Sequence, residues 1–434
     1  MSKRPLEVAV VGGGAAGFFG AIAAATANPY ARVTLYEAGP QPLAKVRISG
    51  GGRCNVTHHC FDPAQLVSSY PRGGKALRGA FSRFQPKDTV DWFTQRGVTL
   101  KTEADGRMFP VTDDSATIVN CLYRAAEQAG VQVKVRSPIV SAEKSGSGFV
   151  LKIKSQQKSQ HQVKCDRLLL TTGSSPTGHR VAKSLGHTLE RPVPSLFTFN
   201  IADKALHQLS GVAVDPACVR LEINSEDKKA LKKASKALTQ SGPLLVTHWG
   251  LSGPAVLKLS AWAARVLYEQ KYRANLIVNW LPKCNQEQVR SELQQNKSKQ
   301  GKKAIATYSP FSPLSKRLWQ YLLTRLEIDS ALTWANLSKK QLNRLVQELT
   351  QGKYDITGKG VFKDEFVTCG GVRLKEVNFK TMESRLCPGL HFAGEILDID
   401  GITGGFNFQS AWTTGWLAGN ALSHPVAVNS TALA

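Results

Sequence analysis

The sequence lacks the cysteine spacings that mark metal or dithiol sites. Eight cysteines occur among 434 residues, but no two form a CxxC pair and no group has the spacing of zinc ligands. No metal site is therefore expected. The thiols are predicted to be reduced, as they are in cytoplasmic proteins, so a cytoplasmic location is expected. An uninterrupted apolar run of the roughly 18 residues that a membrane span needs is also missing.

Acidic residues are scarce. The chain has 32 Asp and Glu against 56 Lys and Arg, a net charge of +24. Such a balance can indicate a nucleic-acid partner. Much of the excess lies in two lysine runs, at 228–236 and 297–303. Neither run contains the aromatic residues that stack single-stranded bases, so solvated surface is the favoured interpretation and nucleic acid the alternative.

The beginning of the chain has the pattern of a βαβ unit. Residues 6–11 form a short apolar run rich in valine, residues 15–27 are rich in alanine, and residues 32–37 form another β-type run. This order predicts strand, helix and strand, with the two strands parallel and joined by a right-handed crossover.

A glycine motif lies between the first strand and the helix. In Gly12-x-Gly14-x-x-Gly17, the first glycine permits a tight turn, the second lets the backbone approach a diphosphate, and the third lets the helix pack closely on the sheet. The helix N-terminus then offers free N–H groups to phosphate. Glu37 ends the second strand, where a carboxylate can accept a hydrogen bond from a ribose hydroxyl. A dinucleotide site is therefore predicted.

Two later segments favour FAD over NAD. Residues 49–55, SGGGRCN, form a second glycine loop that can bring backbone N–H groups and a guanidinium to a ligand. Residues 394–398 and 404–409 carry carboxylates and glycines just before a predicted helix at 408–422. Carboxylates can hold ribityl hydroxyls, and a helix N-terminus can stabilise negative charge on a reduced flavin.

The rest of the chain alternates between patterns of helix and strand. Helices are predicted at 86–97, 115–129, 255–269 and 312–350, and strands at 131–135, 148–154, 161–170, 193–201, 217–223, 243–247, 366–379 and 389–394. Asp398 and Asp400 are predicted to share one face of a strand. Trp412 and Trp416 are interpreted as core residues of the last helix.

Five segments carry a resemblance to a known family. GGGAAG at 12–17, ISGGGRCNVT at 48–57, THWGLSGPAVLKLS at 247–260, TCGGV at 368–372 and the long block at 381–412 resemble the bacterial HI0933-like flavoproteins. These are also called BaiN-like or aminoacetone-oxidase-like, and the resemblance spans nearly the whole chain. It implies an α/β protein, with a discontinuous glutathione-reductase-like Rossmann domain that binds FAD, an inserted β-barrel-like region and a helical subdomain.

The resemblance also implies domain limits and a chemistry. The predicted parts are a first FAD-binding piece at 1–190, an insert at 191–355, a second FAD-binding piece at 356–425 and a tail at 426–434. Family members are described as NAD(P)/FAD-dependent oxidoreductases, with amine oxidation and enone reduction among the proposed activities. This chain departs from the family in a shorter loop after Gly173 and in AKVR at 44–47. The substrate class is therefore not carried over.

The motifs and the resemblance together predict the site residues. The predicted cofactor contacts are Gly12, Gly14, Ala15, Ala16, Gly17, Glu37, Ala38, Ser49, Gly50, Gly51, Gly52, Arg53, Cys54, Asn55, Thr172, Gly173, Gly394, Glu395, Asp398, Gly404, Gly405, Phe406 and Asn407. Arg53 is favoured as a residue that holds the cofactor or its loop, and Cys54 is not favoured as a redox thiol. His248 is the catalytic candidate, although a role in fixing its turn is an equal alternative.

Two functions are left open. The first is an FAD-dependent oxidoreductase that transfers a hydride between flavin and a small organic substrate. No second GxGxxG occurs, so either NAD(P)H docks transiently as electron donor or the substrate reduces FAD and oxygen reoxidises it. The alternative is an RNA-associated flavoprotein, similar to enzymes of tRNA modification, that uses its basic surface.

Overall fold

The chain forms two compact units. The computed structural model describes residues 4–154, 160–222, 238–360 and 367–423. Unit 1 comprises Met1–Pro192 and Val367–Ala434, and unit 2 comprises Val193–Phe366. The second boundary thus falls eleven residues after the predicted limit at 355, because Gly352–Lys359 is a strand of unit 2. The lysine run at 228–236 and the predicted tail at 426–434 lie outside the described residues.

Unit 1 is built on a seven-stranded sheet in the order β19-β20-β21-β10-β1-β2-β6. Strands β21, β10, β1, β2 and β6 are parallel, and β19 and β20 are antiparallel additions at one edge. Numbered along the chain, the strands are β1 (Glu7–Val11), β2 (Arg32–Tyr36), β6 (Gln132–Lys134), β10 (Arg167–Leu170), β19 (Val377–Asn378), β20 (Glu383–Ser384) and β21 (Leu390–Phe392). The predicted βαβ opening is confirmed, with β1 and β2 parallel.

Smaller sheets complete the strands of this part of the chain. They are β3-β5-β4, β7-β8-β9 and β11-β18, with β3 (Thr57–His58), β4 (Leu100–Thr102), β5 (Arg107–Pro110), β7 (Ile139–Ser145), β8 (Gly148–Lys154), β9 (Gln160–Cys165), β11 (Leu189–Ser195) and β18 (Val367–Val372). The single strand predicted at 161–170 is two strands, because the chain bends at Asp166. Its carboxylate there accepts a hydrogen bond from the Glu7 N–H at 2.9 Å.

The helices of unit 1 pack around the large sheet. They are α1 (Ala15–Ala27), α2 (Ala44–Gly52), α3 (Pro63–Leu66), α4 (Gly74–Phe81), α5 (Pro86–Thr94), α6 (Ser115–Gln128), α7 (Pro176–Ser184) and α14 (Phe406–Leu422). The helices predicted at 15–27, 86–97, 115–129 and 408–422 are confirmed to within three residues at each end. No helix of the described ranges is long and apolar enough to cross a bilayer.

Helices α1 and α14 lie side by side and run in the same direction. A Cβ atom on Gly415 would lie 2.7 Å from the Ala16 carbonyl oxygen, and one on Gly419 would lie 2.3 Å from the Gly20 carbonyl oxygen. Residues four apart on α14 therefore contact residues four apart on α1 in the same order, so the two helices are parallel. Their backbones are as close as only glycine permits. The N-terminus of α14 extends about two turns beyond that of α1, which places two helix N-termini on one side of the sheet.

Unit 2 contains a closed antiparallel barrel in the order β12-β15-β14-β13-β16-β17. Its strands are β12 (Phe199–Ile201), β13 (Ala213–Glu222), β14 (Thr239–Thr247), β15 (Gly250–Ser252), β16 (Ala274–Asn279) and β17 (Gly352–Lys359). Closure leaves no open sheet edge. The predicted β-barrel-like insert is thereby confirmed, although the strand predicted at 193–201 is divided between β11 and β12.

The described part of unit 2 also contains helices. They are α8 (Lys204–His207), α9 (Pro254–Trp262), α10 (Ala264–Glu269), α11 (Gln286–Lys299), α12 (Lys316–Arg325) and α13 (Lys339–Gln351). The continuous helix predicted at 312–350 is wrong. Ser338 and Gln341 form a capping box that begins α13 as a separate helix. Trp334, in the connection, stacks on Trp319 with ring centroids 6.2 Å apart.

Candidate cofactor site

The first glycine loop is tightly packed on its protein side and open on the other. A Cβ atom on Gly17 would lie 1.9 Å from the Gly12 carbonyl oxygen, whereas one on Gly14 would meet no atom within 4 Å. Gly14 is the N-cap of α1, and no side chain caps that helix. The amides of the first turn, at Ala15 and Ala16, therefore remain available for an anionic ligand such as a diphosphate.

Glu37 lies directly against this loop. One carboxylate oxygen accepts a hydrogen bond from the Gly13 N–H at 2.7 Å, and the other accepts one from the Gly39 N–H at 2.6 Å, across Ala38. Each oxygen keeps a further lone pair. Glu37 therefore holds the glycine loop in place from the position predicted for a ribose contact.

The loop at 49–55 leaves the end of α2. The backbone departs from helical geometry at Ser49, Gly50 and Gly51, and the Cys54 N–H donates to the Ser49 carbonyl at 3.0 Å. The Arg53 guanidinium donates to Glu103 at 2.6 Å and lies 4.0 Å over the ring of Phe109. Arg53 thus holds the loop through protein contacts, as the sequence analysis favoured.

Two further residues of this loop, Cys54 and Asn55, have different surroundings. Cys54 is fully buried, and desolvation raises the pKa of its thiol to about 12, so the thiolate needed for redox chemistry is disfavoured. Asn55, with its amide oriented to satisfy both groups, accepts from the Gly405 N–H at 2.9 Å and donates to the Thr57 carbonyl at 3.1 Å. Asn55 thereby joins the loop to the start of α14.

The segment at 394–400 brings the predicted carboxylates to the same region, but not in a strand. The Glu395 carboxylate accepts from the Thr368 N–H at 2.8 Å and from Lys45 at 2.6 Å. The Asp398 N–H donates to the Val372 carbonyl at 3.1 Å. Asp400 is fully buried and forms a two-pronged ion pair with Arg72. The predicted strand with a shared face is therefore wrong, because these backbone and ion-pair contacts set the chain direction.

The loop before α14 is held by a side-chain clamp. Asn407 accepts from the Gly401 N–H and donates to the Gly401 carbonyl, both at 2.8 Å. Tyr70 donates its hydroxyl to the Phe406 carbonyl at 2.7 Å, and His58 stacks on the Phe406 ring with centroids 4.6 Å apart. Gly405 is the N-cap of α14, again with no capping side chain. Predicted contacts 404–407 thus form a rigid turn with uncapped amides.

Two buried polar atoms lie near the end of β10. Thr172 Oγ1 and His179 Nε2 have no hydrogen-bond partner among the described residues. Burial lowers the pKa of His179, and nearby Glu395 opposes that shift. A Cβ on Gly173 would lie 3.5 Å from a Glu395 oxygen, so these groups are close together. Buried polar groups normally have partners, and a bound ligand would supply them.

These residues fit FAD. The diphosphate matches the uncapped amides of α1, the adenosine ribose matches Glu37, and the flavin end matches the uncapped turn of α14. Sequence reasoning missed four residues in this region: Lys45, Tyr70, Arg72 and His179. Two of them had a local signal: Lys45 lies four residues before the predicted contact Ser49, and His179 lies in α7, six residues after the predicted contact Gly173.

The catalytic candidate His248 belongs to unit 2. The sequence predicted it between a strand and a helix, but it occupies the tight turn between strands β14 and β15. After this turn the chain re-enters the barrel at Gly250, which pairs with Thr247. His248 lines a cavity of about 500 Å³ within that unit. A catalytic role for His248 stays a prediction.

Comparisons with known proteins agree with this architecture. The family described as HI0933-like protein Rossmann domain matches residues 6–421. A ribosomal RNA dihydrouridine synthase of Escherichia coli K12 is 31% identical over 424 residues, covering 94% of this chain and 96% of the relative. A 3-dehydro-bile acid delta(4,6)-reductase of Clostridium scindens is 29% identical over 428 residues, covering 96% and 98%.

One solved structure shows the same fold over almost its full length. The 3-ketosteroid-delta4-(5alpha)-dehydrogenase of Rhodococcus jostii RHA1 has a TM-score of 0.52 at 14% sequence identity, and the match covers 98% of each chain. This likeness concerns the fold alone. The fold and the family match together assign the glycine loop, the C-terminal turn and the barrel insert to one known architecture.

Proposed function

Because this chain belongs to the HI0933-like family and is an FAD-dependent oxidoreductase, we propose that it reduces a carbon–carbon double bond conjugated to a carbonyl group. The names of two full-length relatives describe such chemistry, on a dehydro-bile acid and on the uracil ring of uridine. In both substrates a carbon–carbon double bond is conjugated to a carbonyl group. Bound FAD supplies the hydride transfer.

One observation carries the proposal from the structure: the parallel helices α1 and α14 present two uncapped N-termini on one side of the sheet. The amides of α1 bind and orient the diphosphate. The amides of α14 favour negative charge, as a flavin pyrimidine ring gains it on reduction. The Asn407 clamp and the Arg72–Asp400 pair keep that turn in position.

The test is anaerobic stopped-flow spectroscopy of the holoprotein. The protein is first reduced and then mixed with a 3-keto-4-ene steroid, with the corresponding saturated ketone, or with an aliphatic amine. The flavin absorbance should return with the conjugated ketone and not with the saturated one. Bleaching of the oxidised protein by the amine, with no response to the conjugated ketone, would show that the proposal is wrong.

NAD(P)H is the electron donor that we propose for the other half-reaction. The sequence offers no second GxGxxG, which favours a nicotinamide that docks transiently. Reduction of the flavin by NADH and by NADPH, compared at equal concentrations, should reveal one fast donor. If neither NADH nor NADPH reduces the flavin faster than the enzyme turns over its substrate, a nicotinamide is not the electron donor.

A second candidate is reduction of uracil within RNA, and the distribution of charge favours it. Residues 193–366 hold 26 Lys and Arg against 14 Asp and Glu, so 174 residues carry half of the net charge. Positive charge promotes binding to phosphate backbones. Incubation of the reduced protein with ribosomal RNA, followed by nucleoside mass spectrometry, should then show uridines that have gained two hydrogens. If the uridines stay unchanged in every ribosomal RNA preparation tested, uracil in RNA is excluded as the substrate.

A further inference from the structure

A basic cavity lies in unit 2. Its volume is about 500 Å³, and its lining residues are Lys204, His207, Gln208, Ser210 and His248. Every one of these side chains can donate a hydrogen bond, and none is acidic. The cavity therefore has the composition of a site for an anion.

A rigid turn forms one wall of this cavity. His248 and Trp249 are the two residues between the paired Thr247 and Gly250. The Trp249 carbonyl accepts from the Ile201 N–H at 3.0 Å, which attaches the turn to β12. His248 faces the cavity, and Trp249 is 48% exposed. A large aromatic surface is therefore held next to the basic lining by the backbone.

The cavity is also lined by Lys204 and His207 of α8 and by Gln208 and Ser210 just after that helix. His207 Nε2 lies 2.9 Å from the Ile201 carbonyl, so Nε2 carries the proton and the ring is fixed. The Arg317 guanidinium donates to the carbonyl of Gln208 at 2.6 Å, which keeps a second cation beside the lining. Three basic side chains, Lys204, His207 and His248, thus line the cavity from α8 and the β14–β15 turn, and Arg317 of α12 contacts the backbone of the lining residue Gln208.

The nearest acidic residue in the sequence does not neutralise this cluster. Asp203 precedes Lys204, but its carboxylate accepts hydrogen bonds from the Tyr321 hydroxyl at 2.7 Å, from Arg325 at 2.9 Å and from the Leu206 N–H at 3.0 Å. These contacts compensate its charge within unit 2. The positive charge of the cavity therefore remains available to a ligand.

We propose that this cavity binds the phosphodiester backbone of single-stranded RNA, with one base stacked on Trp249. Basic grooves with an adjacent exposed aromatic ring are the arrangement that single-stranded nucleic acids select, because phosphates contact the cations and bases stack on the ring. The inference deepens the second candidate function, uracil in RNA, and rests on it for the identity of the strand. It assigns the contact to unit 2.

The test is fluorescence anisotropy of a labelled uridine oligonucleotide with the full-length holoprotein at several salt concentrations. Trp249→Ala should weaken binding by about tenfold through the loss of one stacked base. Lys204→Ala and Arg317→Ala should each reduce the slope of log affinity against log salt by about 0.7, the value for one lost phosphate contact on a single strand.

Two matched variants serve as controls. Tyr30→Ala removes an aromatic side chain that is 87% exposed in unit 1, and Lys340→Ala removes an exposed lysine of α13 that does not line the cavity. Both should bind RNA as the wild type does. Flavin absorbance and the melting temperature of every variant report whether the fold is intact.

The outcomes separate this inference from the proposed reaction. Wild-type protein that ignores RNA at low salt, or cavity variants that bind like the controls, would overturn the RNA site. Reduction of the conjugated steroid by the wild type is measured independently. Its failure together with selective loss of RNA binding in the cavity variants would refute the reaction and support the site.

Discussion

The ligand sites that we propose in the two units use different parts of the polypeptide. In unit 1 the ligand-facing groups are mainly backbone amides at two uncapped helix N-termini, brought together by small residues such as Gly415 and Gly419. In unit 2 the cavity presents side chains, from Lys204 to His248, on a barrel framework. Backbone recognition requires glycine at fixed spacing and so leaves a motif, whereas side-chain recognition assembled from distant segments leaves none.

The largest expected effect on cofactor content comes from adding one methyl group to the glycine loop of unit 1. Gly17→Ala would place a Cβ atom 1.9 Å from the Gly12 carbonyl oxygen. Because backbone must move to relieve the clash, the free energy of unfolding should fall by about 3 kcal/mol, and the purified protein should lose most of its flavin. Urea denaturation and absorbance at the flavin band measure both effects.

Gly14→Ala is the matched control for that substitution. A Cβ there meets no atom within 4 Å, so the stability of the flavin-free protein should not change. Affinity for FAD should nevertheless fall, since the added methyl group occupies space at the ligand side. Equal stability of the Gly17→Ala variant and the wild type would contradict the packing described for this loop.

The next effect compares an ion pair in each unit. Asp400 in unit 1 is fully buried, so Arg72→Ala should destabilise the protein by about 3–5 kcal/mol by removing the counter-ion of a buried carboxylate. Arg325 in unit 2 is 27% exposed on its side chain and contacts Asp203 and Glu348. Its removal should lower the free energy of unfolding by about 2 kcal/mol. Urea denaturation of both variants gives the ranking.

A double variant tests the cause of the larger effect. Replacing both partners, as Arg72→Met with Asp400→Leu, removes the buried charge as well as its counter-ion. Much of the lost stability should return. A double variant as unstable as Arg72→Ala would show that the pair itself, and not the orphaned carboxylate, stabilises the turn.

The smallest effect concerns pH. Complete burial of His391 in β21 lowers its pKa to about 3, against about 6.5 in the unfolded chain. Between these two pKa values the unfolded state binds one proton more than the folded state. The free energy of unfolding therefore decreases as pH falls from about 6.5 towards 3, by up to about 1.4 kcal/mol per pH unit. His391→Phe should flatten the fall in urea midpoint between pH 7 and pH 5.

An exposed histidine provides the control for this measurement. His161→Gln on β9 changes a side chain at the surface of unit 1 and should leave the pH profile as in the wild type. If both variants follow the wild-type profile, burial of His391 does not contribute to acid sensitivity.

Local sequence patterns predicted the elements that local forces decide. The limits of α1 match the prediction, because an alanine-rich run between two glycine-bounded β-type strands has one compact arrangement. The continuous helix predicted at 312–350 was wrong, because the capping box of Ser338 and Gln341 begins a separate helix at Lys339. Asp398 and Asp400 were misplaced in a strand, since contacts with distant Val372 and Arg72 set their backbone.

The candidate site divides in the same way. Gly12, Gly14, Gly17 and Glu37 could be found from spacing, because the turn and the ribose contact lie within one βαβ unit. Arg72, Tyr70 and His179 could not, because their partners are Asp400, Phe406 and a region beside Glu395, far along the chain. The lysine runs contain no aromatic residue in the sequence, and that observation did not reveal Trp249 next to the cavity-lining His248.

Sequence alone determined the dinucleotide loop, the parallel sheet that carries it and the excess of positive charge, since each depends on residue types at short spacing. Only the tertiary structure decided which charges meet and which are compensated. The pairing of Asp400 with Arg72, the contact of Asp203 with Arg325, and the gathering of Lys204, His207 and His248 around one cavity all follow from packing. Electrostatic and stacking energies depend on distances in space, and folding sets those distances.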